Sequence, residues 1–171
     1  HHHYFADGGA TYHQRYSSWD LVRGQAIDRW KAHVDPDLET LQKDFHPSQH
    51  HRTNYMINRS YVAEESEYCG PQVFGLAQEF LKQNHKNDNW LLQLECFDPH
   101  EPFHAPPRFR EMYPTDYDGP ILDWPVYKRV TETPEEIAEL RANYAALTTM
   151  CDEYFGKLLD FFDENDMWKD T

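Results

Sequence analysis

The first thing this sequence lacks is an excess of basic charge. Lys and Arg number 16 against 30 Asp and Glu, a formal net charge of −14. Nucleic acids and anionic membranes both need a basic footprint, so the sequence implies neither as a partner. Long hydrophobic runs are missing as well. No stretch approaches the ~18 consecutive apolar residues that would span a bilayer, and no signal-peptide pattern precedes the first motif. Cysteine is scarce: Cys69, Cys96 and Cys151 are odd in number and widely spaced, with no C-x-x-C pair. That indicates neither a disulfide scaffold nor a zinc knuckle. Aromatic residues, at 15%, and 11 prolines are the abundant features, and together they imply well-packed, irregular connections. A length of 171 residues suits one domain with a real core.

The most informative stretch is WLLQLECFDPHEPFHAPP, residues 90–107. Trp90, Leu92, Leu94 and Cys96 alternate with Leu91, Gln93, Glu95 and Phe97, the period of a strand. Apolar residues on both faces predict a strand inside a sheet. Asp98-Pro99 ends it, because proline has no N–H for a ladder and restricts the residue before it. A proline-stiffened loop then carries Asp98, His100, Glu101 and His104. Polar loops at the C-terminal ends of buried strands are where open α/β sheets bind ligands. Asp98 and Glu101 are expected to pin the loop through backbone N–H groups, and His104 to lie at the surface.

Two helices are predicted. Over residues 71–84, Pro71 suits the first turn and Val73, Phe74, Ala77, Phe80 and Leu81 form one apolar stripe. The second opens with Thr133 as cap, Pro134 at the first position and Glu136 completing a capping box. It continues to about Asn165 on a stripe through Ile137, Leu140, Tyr144, Leu147, Cys151, Tyr154, Leu158 and Phe161. Between them, residues 108–130 are punctuated by turn signals. In the N-terminal third, residues 12–30 mix arginines with aromatics. Arg23-Gly24-Gln25 is the part expected to face a ligand, since glycine permits close backbone approach. His46, His50 and His51 cluster in sequence, but Pro47 and Ser48 disfavour the helix that would align them, so they read as solvated loop histidines. The three leading histidines have the form of a tag remnant as much as of native sequence.

FDPHEPF at a strand end, with HHHYFADGGATYHQRYSSWD before it and YAALTTMCDEYFGKLLDFFDENDMWKDT after it, resembles the sulfatase branch of the alkaline phosphatase superfamily. The resemblance implies an α/β fold with helices layered on a central mixed sheet. It implies that residues 1–171 are one partial catalytic domain, without the nucleophile segment that precedes it in the family or the metal-ligand segment that follows. The activity implied is hydrolysis of sulfate monoesters by a formylglycine-type nucleophile and a divalent metal. Calcium is the expected metal, with manganese or zinc as alternatives, and none is expected to bind this chain alone. Phosphonate monoesters or phosphodiesters are the alternative substrates. The implied partners are therefore a small sulfate or phosphonate ester and the remainder of the parent catalytic domain.

Within the resemblance, His100 matches the histidine that donates to the sulfuryl oxygens or protonates the leaving group. His1 or His3 matches a second pocket histidine, and Arg23 is a candidate substrate contact. The only Cys-x-Pro is Cys69-Gly70-Pro71, which has Val73 where the nucleophile motif has arginine. Cys69 is therefore read as a helix N-terminal residue, and the isolated chain is expected to be inactive. A competing reading is a non-catalytic acidic module binding metal through His46, His50, His51 and His1 to His3.

Overall fold

The computed structural model of the chain describes residues 12–169, so His1 and His3 lie outside the described residues. The helices are α1 (Leu38–Gln42), α2 (Thr53–Arg59), α3 (Cys69–Asn84), α4 (Pro107–Arg110) and α5 (Pro134–Glu164). Single 3₁₀ turns occupy Tyr12–Arg15, Glu65–Glu67 and Met167–Lys169.

The central element is α5, whose 31 residues extend about 46 Å at 1.5 Å per residue. Its start follows the sequence. Thr133 accepts from the Glu136 backbone N–H at 3.3 Å, and the Glu136 carboxylate accepts from the Thr133 N–H at 2.8 Å. Pro134 occupies the first turn, where its missing N–H costs nothing. The buried face is carried by Ala142, Ala146, Leu147, Met150 and Leu158. Helix α3 packs on α5, and its stripe of Phe74, Ala77 and Leu81 meets Leu158 and Met167. Helix α4 packs on the same spine about two turns earlier, where Phe109 is wholly buried against Ala146, Leu147 and Met150. A third cluster, Ala26, Phe45, Tyr55, Met56 and Trp124, fills the space between α2 and residues 121–124.

The expected helices on a central mixed sheet, and with them the α/β fold class, are corrected by this structure. Among the described residues the chain is helical, and its one β pairing is an isolated parallel bridge between Phe45 and Ile121. Residues 90–97 do alternate as predicted: Trp90, Leu92, Leu94 and Cys96 pack against the α3–α5 cluster, while Leu91 is 78% exposed. The physical reason for the correction is that alternation fixes a face and not a neighbour. A strand needs a second backbone alongside it. Among the described residues, the backbone hydrogen bond of this segment is the one from the His100 N–H to the Phe97 carbonyl, at 3.1 Å. The expected strand is thus an extended segment laid across two helices.

An exposed ion-pair clamp ties the outer surfaces together. Arg108 donates to both oxygens of Glu65, at 2.5 and 2.7 Å, and to both of Glu153, at 2.8 and 2.7 Å. Lys157 reaches Glu153 from the next turn at 2.8 Å, and the Tyr154 hydroxyl donates to Glu65 at 2.7 Å. With cations on both sides, the Glu153 carboxyl is pulled down to about 2, its Arg108 hydrogen bonds being the largest cause.

Because Leu147 is 1% exposed at the junction of α4 and α5, Leu147→Ala is expected to cost about 2–5 kcal/mol through lost transfer energy and the cavity left behind. Urea unfolding is the measurement. A loss below ~1 kcal/mol would mean that α5 is not the spine described.

Candidate functional site

The loop of residues 98–104 leaves the extended segment and is fixed at both ends. The Phe103 N–H donates to the Asp123 carbonyl at 2.7 Å, and the His104 N–H to the Pro102 carbonyl at 2.8 Å. The Asp98-Pro99 and Glu101-Pro102 peptides are both cis. Within this frame the His100 ring stacks on Phe97, with centroids 4.2 Å apart and planes inclined by 25°. Its Nδ1 lies 2.7 Å from the Glu101 carbonyl oxygen and 3.4 Å from Glu101 Oε2. A ring whose Nδ1–H is given to a carbonyl keeps Nε2 as its other hydrogen-bonding atom. The His100 side chain is 47% exposed. It does not line the cleft of about 330 Å³ that Phe103, Val126, Leu140 and Tyr144 form beside α5.

Glu101 pins the loop through a side chain rather than through backbone N–H groups: it accepts from the Tyr127 hydroxyl. Asp98 is anchored from two directions. Its Oδ1 accepts from Gln25 Nε2 at 2.8 Å, and the Gly70 N–H at the start of α3 also bonds it. The carboxylate lies so close to Gly70 that a Cβ there would come within 2.8 Å of Asp98 Oδ2 and 2.9 Å of Met150 Cε. Glycine at 70 is what admits this carboxylate. Burial pushes the Asp98 carboxyl up to about 6, against the opposing pull of the Gln25 and Gly70 hydrogen bonds.

Arg23 belongs to the segment that covers this point. Its guanidinium makes a bidentate pair with Asp28, at 2.7 and 2.9 Å, and donates to the Arg29 carbonyl at 3.0 Å. Gly24 follows with φ of +107°, the freedom expected of it. A Cβ there would meet the Trp30 ring at 2.9 Å. Gln25, two residues from Arg23, therefore bonds Asp98, two residues from His100, and the two sequence-predicted segments adjoin through this contact. Cys69 is the first residue of α3, as read from the sequence. Burial, then the nearby Asp98 charge, pushes its thiol up to about 12, which leaves it protonated and unreactive.

His104 corrects the expectation of a surface residue. It is half-buried, its ring lies 4.8 Å from that of Tyr68, and Nε2 is 3.1 Å from the Tyr68 hydroxyl. Burial, reinforced by the nearby Arg59 charge, holds its imidazole well below the ordinary value. Arg59 itself donates to Asp123 at 2.6 Å and to the Tyr55 hydroxyl at 2.7 Å, beneath the loop. Gln49 adds to this cluster by accepting from the Asp123 N–H at 2.9 Å.

The structure does not bring His46, His50 and His51 together. His46 pairs with Ser48 and Glu136, both at 2.8 Å, His50 sits edge-on to Trp124, and His51 Nε2 is 2.9 Å from the His46 carbonyl oxygen. One group of potential ligands does converge among the described residues: Cys96, Asp98 and Cys151, whose donor atoms all lie within 4.8 Å of one another. Sequence reasoning missed this set. The i, i+2 placement of Cys96 and Asp98 on one face of an extended segment was the available signal for half of it. Compared with known protein families, curated proteins and solved structures, the chain shows no match.

The neutral His104 makes a signed contribution to stability. The unfolded chain takes up a proton as pH falls through about 6.5, whereas the folded one does not until much lower, so this contribution is lost as pH falls. Asp98 and Asp123, both raised by burial, act in the opposite sense by taking up protons in the folded state. The stability difference between the wild-type chain and His104→Gln, taken from urea curves at pH 7.5 and 5.5, should therefore narrow or reverse at the lower pH. A difference independent of pH would show that His104 titrates freely.

Proposed function

We propose that the chain carries the oxyanion-facing histidine of a hydrolase acting on sulfate monoesters, with phosphonate monoesters or phosphodiesters as the alternative substrate class. The reading rests on the FDPHEPF motif, and the observation that carries it is the presentation of His100. Its ring is held by Phe97 and by the Glu101 carbonyl on Nδ1, and the side chain is about half exposed. An imidazole fixed in this way can donate a hydrogen bond to a sulfuryl or phosphoryl oxygen without first losing rotational freedom. Glu101 Oε2 lies 3.4 Å from Nδ1, on the same side of the ring as the carbonyl's contact. Arg23 is held within reach of the same loop through Gln25 and supports the reading as a source of positive charge, although Asp28 already neutralises part of it.

Calcium, the first metal that the resemblance implies, and manganese are a poor fit to these residues. Calcium and manganese require several oxygen donors, whereas the convergent ligand set is two thiols and one carboxylate. The role assigned to His100 therefore involves no metal, and the isolated chain is assigned binding without turnover.

Titration with inorganic sulfate, followed by the His100 Cε1–H resonance, should give a saturable shift that is absent in His100→Ala and retained in His104→Gln. Aryl sulfate should not be hydrolysed by the purified 171-residue chain. A His100 resonance indifferent to both sulfate and phosphate would remove the proposal. Hydrolysis abolished by His100→Ala would keep the histidine's role but refute the assignment of an inactive chain.

A further inference from the structure

The convergence of Cys96, Asp98 and Cys151 is independent of His100 and of the sulfatase reading. Cys96 and Asp98 lie two residues apart at the end of the extended segment, and Cys151 comes from the middle of α5, so two elements supply the set. All three side chains are half-buried, and their donor atoms lie within 4.8 Å of one another. Tetrahedral zinc, with Zn–S bonds of ~2.3 Å, holds a pair of sulfurs about 3.8 Å apart. The group is therefore within a small side-chain adjustment of that geometry.

The surroundings are those of a ligand set rather than of an ordinary apolar contact. Asp98 is oriented by Gln25 Nε2 at 2.8 Å and by the Gly70 N–H, as ligating carboxylates are oriented by their neighbours. The absence of a side chain at Gly70 is what lets the carboxylate enter. The Cys96 and Cys151 sulfurs lie within 4.8 Å of each other. Two sulfurs select a soft or borderline ion and disfavour calcium and magnesium.

We propose that Cys96, Cys151 and Asp98 form a binding site for a soft divalent cation, Zn²⁺ the first candidate, at the junction of residues 90–98 with α5. On binding, both thiols give up their protons to solvent, two Zn–S bonds and one Zn–O bond form, and a fourth position stays open to water. No electrons are transferred. The site would bridge the extended segment to the long helix and brace the loop that begins at Asp98. It also replaces the expectation that this chain alone binds no metal, and it uses different residues from the histidine-binding module.

The test is metal uptake by the reduced, full 171-residue chain, with Zn²⁺ competed against a chromophoric chelator and Co²⁺ as a spectroscopic probe. One ion per chain is expected, with release of protons and thiolate-to-cobalt charge-transfer absorption. Cys96→Ser and Cys151→Ser should each abolish the charge-transfer band or halve it with at least ~100-fold weaker uptake. Gln25→Ala should weaken uptake by ~10-fold, and His50→Ala should leave it unchanged. Should the cysteine variants fail to fold, the wild-type chain still decides the matter. Bound zinc must protect Cys96 and Cys151 from alkylation, as mapped by mass spectrometry. No uptake, uptake lost on His50→Ala, or equal alkylation with and without zinc (as for thiols that merely pack or oxidise to a disulfide) would each overturn the proposal.

Discussion

Burial of Ala146, Leu147 and Met150 in the middle of α5 is the contact on which the rest of this structure depends. A helix of this length has little reason to stay straight in water on its own propensity. Most of its stability comes from the apolar face it covers. Here α3 covers the C-terminal half and α4 the middle, so one stripe on one helix organises two separate hydrophobic clusters. The extended segment settles on the α3–α5 surface through alternate residues, and the loop of residues 98–104 begins where that packing ends. Movement of α5 relative to α3 would therefore be passed through this segment to the loop at Asp98.

The polar groups around the loop are layered rather than pooled. Nearest the surface, His100 rests on Phe97 and Glu101. Beneath it, the half-buried His104 meets the buried Tyr68, and Arg59 bonds the buried Tyr55 and Asp123. Each layer is held by a different segment, and the loop backbone is tied to the deepest one through the Phe103 N–H and the Asp123 carbonyl. A histidine on such a mount has its position fixed by the interior of the protein, even though its ring is in contact with solvent.

The two long helices were legible in the sequence because what specifies them is local, whereas the short α1, α2 and α4 carry no comparable stripe and were not read from it. The Thr133–Glu136 capping box, Pro134 and the three-four spacing all lie within one stretch of chain, and the structure realises them from Pro134 to Glu164. The face of residues 90–97 was legible for the same reason, and half-buried and exposed positions alternate from Trp90 to Cys96. The sheet was not, because pairing is a relation between distant backbones and no residue in the stretch encodes its partner. His104 was misread for a related reason. A polar residue after prolines has the composition of a surface loop, and only the arrival of Tyr68 and Arg59 from elsewhere buries it. Cys151 was counted as one apolar position among many on α5. Its proximity to Cys96, across more than fifty residues, is set by how the segment crosses the helix.

The Arg108 clamp has a consequence for behaviour on heating. The four charged residues of the network sit at the surface, where at room temperature the cost of removing water from ions nearly cancels their attraction. Hydration of charged groups weakens as temperature rises, so that cancellation shifts towards attraction, while the gain per unit of buried apolar surface levels off. The network joining Glu65, Arg108, Glu153 and Lys157 therefore carries a growing share of cohesion in warm solution. The α4–α5 corner is the part of the molecule best equipped to keep its shape as the remainder softens.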